Sequence, residues 1–151
     1  MDADFTAYLE RVRAHRAELG DAMAALEAAL LAPVGLGGDR WRGRVEAALA
    51  EVRHDWNDHV ALTEAEGGLY ADIKERAPRL SAKVQQLLAE HATLAALGDE
   101  VLDKVQHADP GSDVAVLRED VTGLMGRISR HRQRGSDLIY EAYVVDLGGL
   151  G

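Results

Sequence analysis

Six histidines are spread along a chain of 151 residues that contains no cysteine: His15, His54, His59, His91, His107 and His131. Neutral imidazole is the commonest protein ligand for iron, zinc, copper and nickel, so the placing of these rings bears first on metal chemistry. Apolar residues recurring at alternating steps of three and four divide the chain into four helical stretches. Each stretch carries one histidine on its apolar seam near its middle: His15, His59, His91 and His131 in turn. His54 and His107 fall off the seams and are expected in solvent. A single imidazole on an apolar face is commonly no more than a hydrogen-bonded core residue. Four of them, one from each helix, point to a metal or a cofactor inside a bundle.

The second seam adds to this. It reads Val45, Leu49, Val52, Trp56, then His59, Thr63 and Glu66, then Tyr70 and Ile73. Three polar side chains thus stand where leucine or valine is expected, and each costs roughly 1–3 kcal/mol if buried without a partner. With the four histidines at one height, Glu66 lies about 10 Å further along the axis at ~1.5 Å per residue. Tyr8 and Leu138 fall near that level, so Glu66 is expected to bond Tyr8, or to reach a metal through a distortion of its helix. Thr63 and Gly135 fall between the two levels, where small residues leave room for a ligand or water.

The elements that must position these groups follow from the same pattern. A first helix is expected from about Asp4 to Leu31, ended by Pro33, Gly35, Gly37 and Gly38. A second, with Asp39 as its cap, is expected from Trp41 to about Glu75, with a kink or bulge at Gly67-Gly68 because paired glycines weaken a helix interior. Pro78 suits the first position of a third helix, whose seam is Leu80, Val84, Leu87, His91, Leu94, Gly98, Val101 and Val105. Asp109-Pro110-Gly111 forms a turn, and Ser112 is expected to cap a fourth helix with a seam from Val114 through His131 to Val145. The tail from Leu147 to Gly151 reads as frayed. Together these predict an all-α, up-down-up-down antiparallel four-helix bundle, with residues 1–151 as a single domain. The basic run Arg127, Arg130, Arg132 and Arg134 reads as a solvated face pairing with acids.

In its order of motifs the chain resembles the hemerythrin-like, or HHE cation-binding, domain. The motifs are His15 in the first helix, His59 followed by acids and Leu69-Tyr70, Glu90-His91 in the third, and His131 in the fourth. The resemblance implies a non-haem di-iron centre with histidine and carboxylate ligands, in proteins that bind or sense dioxygen, handle peroxide or nitric oxide, or store iron. Where the family places further ligands, this chain has Thr63, Ala95, and Gly135-Ser136 with Asp137 one residue late. A site with one metal, haem between facing histidines, or a metal-free descendant therefore stay open. The expected metal set is His15, His59, His91 and His131 with Glu66 or Glu64 as carboxylate, and Tyr8, Thr63 and Gly135 beside it. Iron is the expected metal and a small diatomic molecule or peroxide the expected ligand. A metal-free or haem-binding interaction or sensor protein is the alternative.

Composition narrows the classes. A formal net charge of −9 argues against nucleic acid as a partner. No apolar run is long enough for a membrane span and the N-terminus has no signal-peptide pattern, so a cytoplasmic protein is expected. Without cysteine there are no disulfides, thiolate ligands or cysteine nucleophile. No nucleophile elbow or phosphate-binding loop is present. A nucleophile-based enzyme is thus disfavoured, and peroxide or nitric oxide chemistry at iron is the catalytic option retained. Oligomeric state is open, a homodimer being one option.

Overall fold

The computed structural model describes residues 3–36, 38–109 and 113–145. Five α-helices account for most of them: α1 (Ala3–Leu31), α2 (Asp39–Thr63), α3 (Leu69–Arg76), α4 (Ser81–Gln106) and α5 (Val114–Tyr140). A single 3-10 turn, Pro78–Leu80, precedes α4, and a π-helical turn, Glu141–Val145, follows α5. No strand occurs among the described residues, and no helix there is long and apolar enough to cross a membrane.

The local chemistry explains most boundaries. After α1, Gly35 and Gly38 adopt left-handed backbone, φ +73° and +72°, which glycine accepts without strain. Asp39 is the first residue of α2 and not its cap; no side chain caps this end, and the Asp39 carboxylate pairs one turn on with Arg42. Ala77, kept out of helical backbone before Pro78 (φ −134°, ψ 71°), separates α3 from the 3-10 turn. Asp113 caps α5, its carboxylate accepting from the Ala115 N–H at 2.8 Å. Ser112, the expected cap, lies outside the described residues, as does the tail.

The second helix is interrupted rather than kinked. α2 ends at Thr63, and Gly67, at φ +70°, turns the chain before α3 begins at Leu69. Tyr8 of α1 holds both sides of this break: its hydroxyl donates to the Leu62 carbonyl at 2.6 Å and accepts from the Leu69 N–H at 2.8 Å. It thereby satisfies groups that helix ends leave open. A Cβ on Gly68 would stand 2.7 Å from that hydroxyl and 2.8 Å from the Ala65 carbonyl oxygen. The expected Tyr8–Glu66 bond does not form. Tyr8 is already engaged, and the break carries Glu66 out to the surface.

α1 packs on α2, α2 on α4, and α4 on α5. The core falls into two apolar clusters. One includes Leu19, Leu49, Trp56, Leu94, Leu124 and Ile128; the other includes Tyr8, Val12, Leu69, Tyr70, Leu87 and Leu138. On each long helix the residues between the two clusters are those with polar chemistry: His15 and Arg16, His59 and Thr63, His91, and His131 with Gly135. A polar layer is therefore held between two apolar blocks, in which each fully buried large side chain contributes roughly 1.5–3 kcal/mol.

Candidate metal centre

His59 from α2, His91 from α4 and His131 from α5 converge in this layer, at 6%, 3% and 1% exposure. One ring nitrogen from each lies within 4.8 Å of the other two. Their ring centroids are 5.0–5.5 Å apart, a nearly equilateral arrangement. Trp56, one turn before His59, lies against all three rings, with centroids 4.9 Å from His131, 5.2 Å from His59 and 5.6 Å from His91. It gives the trio an apolar wall.

Carboxylates stand behind two of the rings. Glu90 Oε2 lies 3.3 Å from His131 Nδ1, and Glu90 is itself held by Arg134 at 2.7 Å. Glu64 Oε2 lies 3.3 Å from His91 Nδ1, a close contact without hydrogen-bond alignment, while Tyr70 Oη is 3.4 Å from His91 Nε2. A carboxylate at one ring nitrogen fixes the tautomer and leaves the other nitrogen's lone pair available, the usual arrangement behind a metal-ligating histidine. His59 Nε2 and His131 Nε2 are buried with no hydrogen-bond partner.

Electrostatics keep the rings neutral. Burial, followed by the charges of His91 and His131 and then of Arg16 and Arg132, pushes His59 down to about 3. Burial and then His91 push His131 down to about 4, against the pull of Glu90. Burial also lowers His91, opposed by Glu64. Neutral imidazoles are the form that binds metal. With metal–nitrogen bonds of about 2.0–2.1 Å for an ion such as zinc, three such nitrogens must close to about 3.4 Å of one another to share one tetrahedral ion.

Of the expected ligands, the structure brings together His59, His91 and His131, with Glu64 alongside. His15 stands apart: the buried face of α1 runs from Val12 to Leu19, so it passes between positions 15 and 16 and leaves both half-buried. The His15 ring turns to Glu18, 3.7 Å away. Glu66 is exposed and lines an outer groove with Tyr8 and Arg11, so neither Glu66 nor Tyr8 faces the trio. Thr63 and Gly135 do line a cavity at the trio, Thr63 donating to the His59 carbonyl at 2.8 Å. His54 and His107 are solvated as expected, at 69% and 73% side-chain exposure.

Several contributors were not foreseen. Glu90 is in sequence only the neighbour of His91, yet it serves His131 across the α4–α5 contact. Arg132, expected on a solvated face, turns inward beside Arg16, and each donates to the other's backbone carbonyl. Trp56 lay on the second seam, one turn before His59, which was the available signal for its contact. Compared with protein-family models, curated proteins and solved structures, the chain has no match.

Proposed function

We propose that this protein binds a transition-metal ion through His59, His91 and His131, in a hemerythrin-like four-helix bundle whose second helix is the interrupted pair α2 and α3. The observation that carries the reading is three buried, neutral imidazoles from three helices offering nitrogens within 4.8 Å of one another. Two of these rings have a buried nitrogen with no hydrogen-bond partner, so the donor set fits such an ion. Glu64 and Glu90 supply negative charge to offset it. Thr63, Ala95 and Gly135 stand where further ligands would be wanted, which favours one ion over two.

Iron is the metal the motif order implies, and such an ion, when bound, supplies an open position for dioxygen, nitric oxide or peroxide. The chain's own part is to keep the rings neutral, to hold the His131 Nδ1 proton on Glu90, and to exclude water from one side with Trp56. Binding or sensing in the cytoplasm fits this better than nucleophile-based catalysis. The test is elemental analysis with an absorption spectrum on untagged protein purified without chelator. About one iron per chain supports the reading, and a Soret band would move it to haem. No metal after reconstitution with ferrous iron overturns it and leaves a metal-free interaction bundle.

A further inference from the structure

Glu64 and Glu90 approach their histidines differently. Glu90 Oε2 is hydrogen-bonded to His131 Nδ1 at 3.3 Å, which leaves His131 Nε2 bare and unpartnered. Glu64 Oε2 comes equally close to His91 Nδ1, yet that nitrogen is likewise buried without a hydrogen-bond partner. An acceptor out of line with a ring nitrogen does little to hold a proton there. The hydrogen bond of His91 is made by its other nitrogen, Nε2, with Tyr70 Oη at 3.4 Å.

The direction of that bond is set further along. Thr63 donates its one hydroxyl proton to the His59 carbonyl at 2.8 Å, and a carbonyl can only accept. Thr63 is also hydrogen-bonded to Tyr70, side chain to side chain. With the threonine proton already engaged, Tyr70 donates to Thr63 Oγ1, and the Tyr70 oxygen is left to accept from His91. The proton of neutral His91 therefore sits on Nε2, and Nδ1 turns a bare lone pair toward Glu64. Two rings hold the imidazole in this orientation. Tyr70 stacks on it, with centroids 5.7 Å apart and planes 29° apart, and Trp56 meets it edge-on at 5.6 Å.

A bare lone pair and a carboxylate oxygen 3.3 Å apart repel each other unless a cation joins them. Two ligands on one tetrahedral ion such as zinc stand about 3.4 Å apart, close to this separation. We propose, resting on the metal reading, that His91 binds the ion through Nδ1 with Glu64 beside it as fourth ligand, whereas His59 and His131 bind through Nε2. The Tyr70–Thr63 relay sets the His91 tautomer that this requires. Glu90 and Tyr70 are then positioning residues that protonate opposite nitrogens of two facing rings.

The test uses the full-length protein labelled with ¹⁵N-histidine. In metal-free protein at pH 7, long-range ¹H–¹⁵N correlations separate protonated from bare ring nitrogens. His91 is expected to carry its proton on Nε2 and His131 on Nδ1. Tyr70→Phe removes the acceptor, so His91 is expected to shift toward the Nδ1–H form and cadmium affinity to fall about 10–100-fold in chelator competition. Thr63→Val, which frees Tyr70 to donate to His91, is expected to act in the same direction and serves if the phenylalanine variant does not fold. Glu64→Gln is expected to lower cadmium affinity at least about tenfold while leaving the His91 proton on Nε2. Tyr140→Phe, at a 58% exposed position, is expected to change neither readout. In protein loaded with ¹¹³Cd, coupling to the metal is expected at His91 Nδ1 and at Nε2 of His59 and His131. An Nδ1-protonated His91 in the parent, an unchanged tautomer in the relay variants, unchanged affinity in Glu64→Gln, or coupling at His91 Nε2 would each overturn the proposal and leave the three-histidine site standing. Absence of cadmium binding would instead overturn the metal reading, and this proposal with it.

Discussion

Replacing His59 with leucine removes one buried imidazole at nearly constant volume. In metal-free protein this is expected to flatten the acid side of the stability curve. In the unfolded chain His59 takes a proton below about 6.5, whereas in the folded protein burial, His91, His131 and the two arginines delay it until about 3. The folded pKa is depressed, so the stability that a neutral His59 contributes is complete above 6.5. It is lost as the pH falls toward 3. At pH 4 the unfolded imidazole is almost fully protonated and the folded one is about nine-tenths neutral. Some 2.5 pH units of differential protonation have then accumulated, and at ~1.36 kcal/mol per unit the folded protein has lost about 3 kcal/mol from this residue alone. Carboxylates, His91 and His131 add losses of their own, but these remain in the variant. The assay is urea unfolding in chelator at pH 7, 6, 5 and 4 for both proteins. His59→Leu is expected to lose about 3 kcal/mol less than the parent between pH 7 and pH 4. Parallel curves would show that the trio is not a buried neutral cluster, and the reasoning on the metal centre would fail with it.

Other perturbations read other parts of the site. Glu90→Gln removes the charge behind His131 and is expected to weaken divalent-metal binding by about 10–100-fold, measured by competition with a chromophoric chelator. Glu66→Gln, on the exposed loop, is expected to leave affinity unchanged in the same assay. Because Trp56 lies within 5.6 Å of all three imidazole centroids, copper(II) is expected to quench its emission in the parent, and His91→Ala to need far more copper for the same quenching. Tyr8→Phe strands the Leu62 carbonyl and the Leu69 N–H, a loss of about 1–3 kcal/mol in urea unfolding. Gly68→Ala is expected to destabilise as well, since its Cβ would meet the Tyr8 hydroxyl.

Much of the helix content and three of the site residues were legible in the chain because helical periodicity is a local property. His91 has Leu87, Leu88, Leu94 and Ala95 three and four positions away, and His131 continues the stripe of Leu124 and Ile128, so their burial followed from spacing. Glu66 failed for a reason that periodicity cannot carry. It continues the seam of α2 on paper, but α2 ends at Thr63, before Glu66, and Tyr8 from another helix holds that break. His15 failed by half a residue: the stripe on α1 passes between it and Arg16, and only the packing of α1 on its neighbours decides which side chain leans in. Arg132 lay in a basic run whose average character, exposed and acid-paired, concealed the one member turned inward.

By itself, the amino-acid sequence determined that this chain is helical, that its helices carry buried imidazoles near their middles, and that thiol chemistry is absent. Those are consequences of residue type and of spacing within one helix. Tertiary structure alone decided that three histidines and not four share a point, that Glu90 orients a ring on a different helix, and that Arg16 and Arg132 meet across α1 and α5. Each of these depends on the rotation and height of one helix against another. A shift of one residue, about 100° around an axis, exchanges a buried neighbour for a solvated one without changing any local pattern.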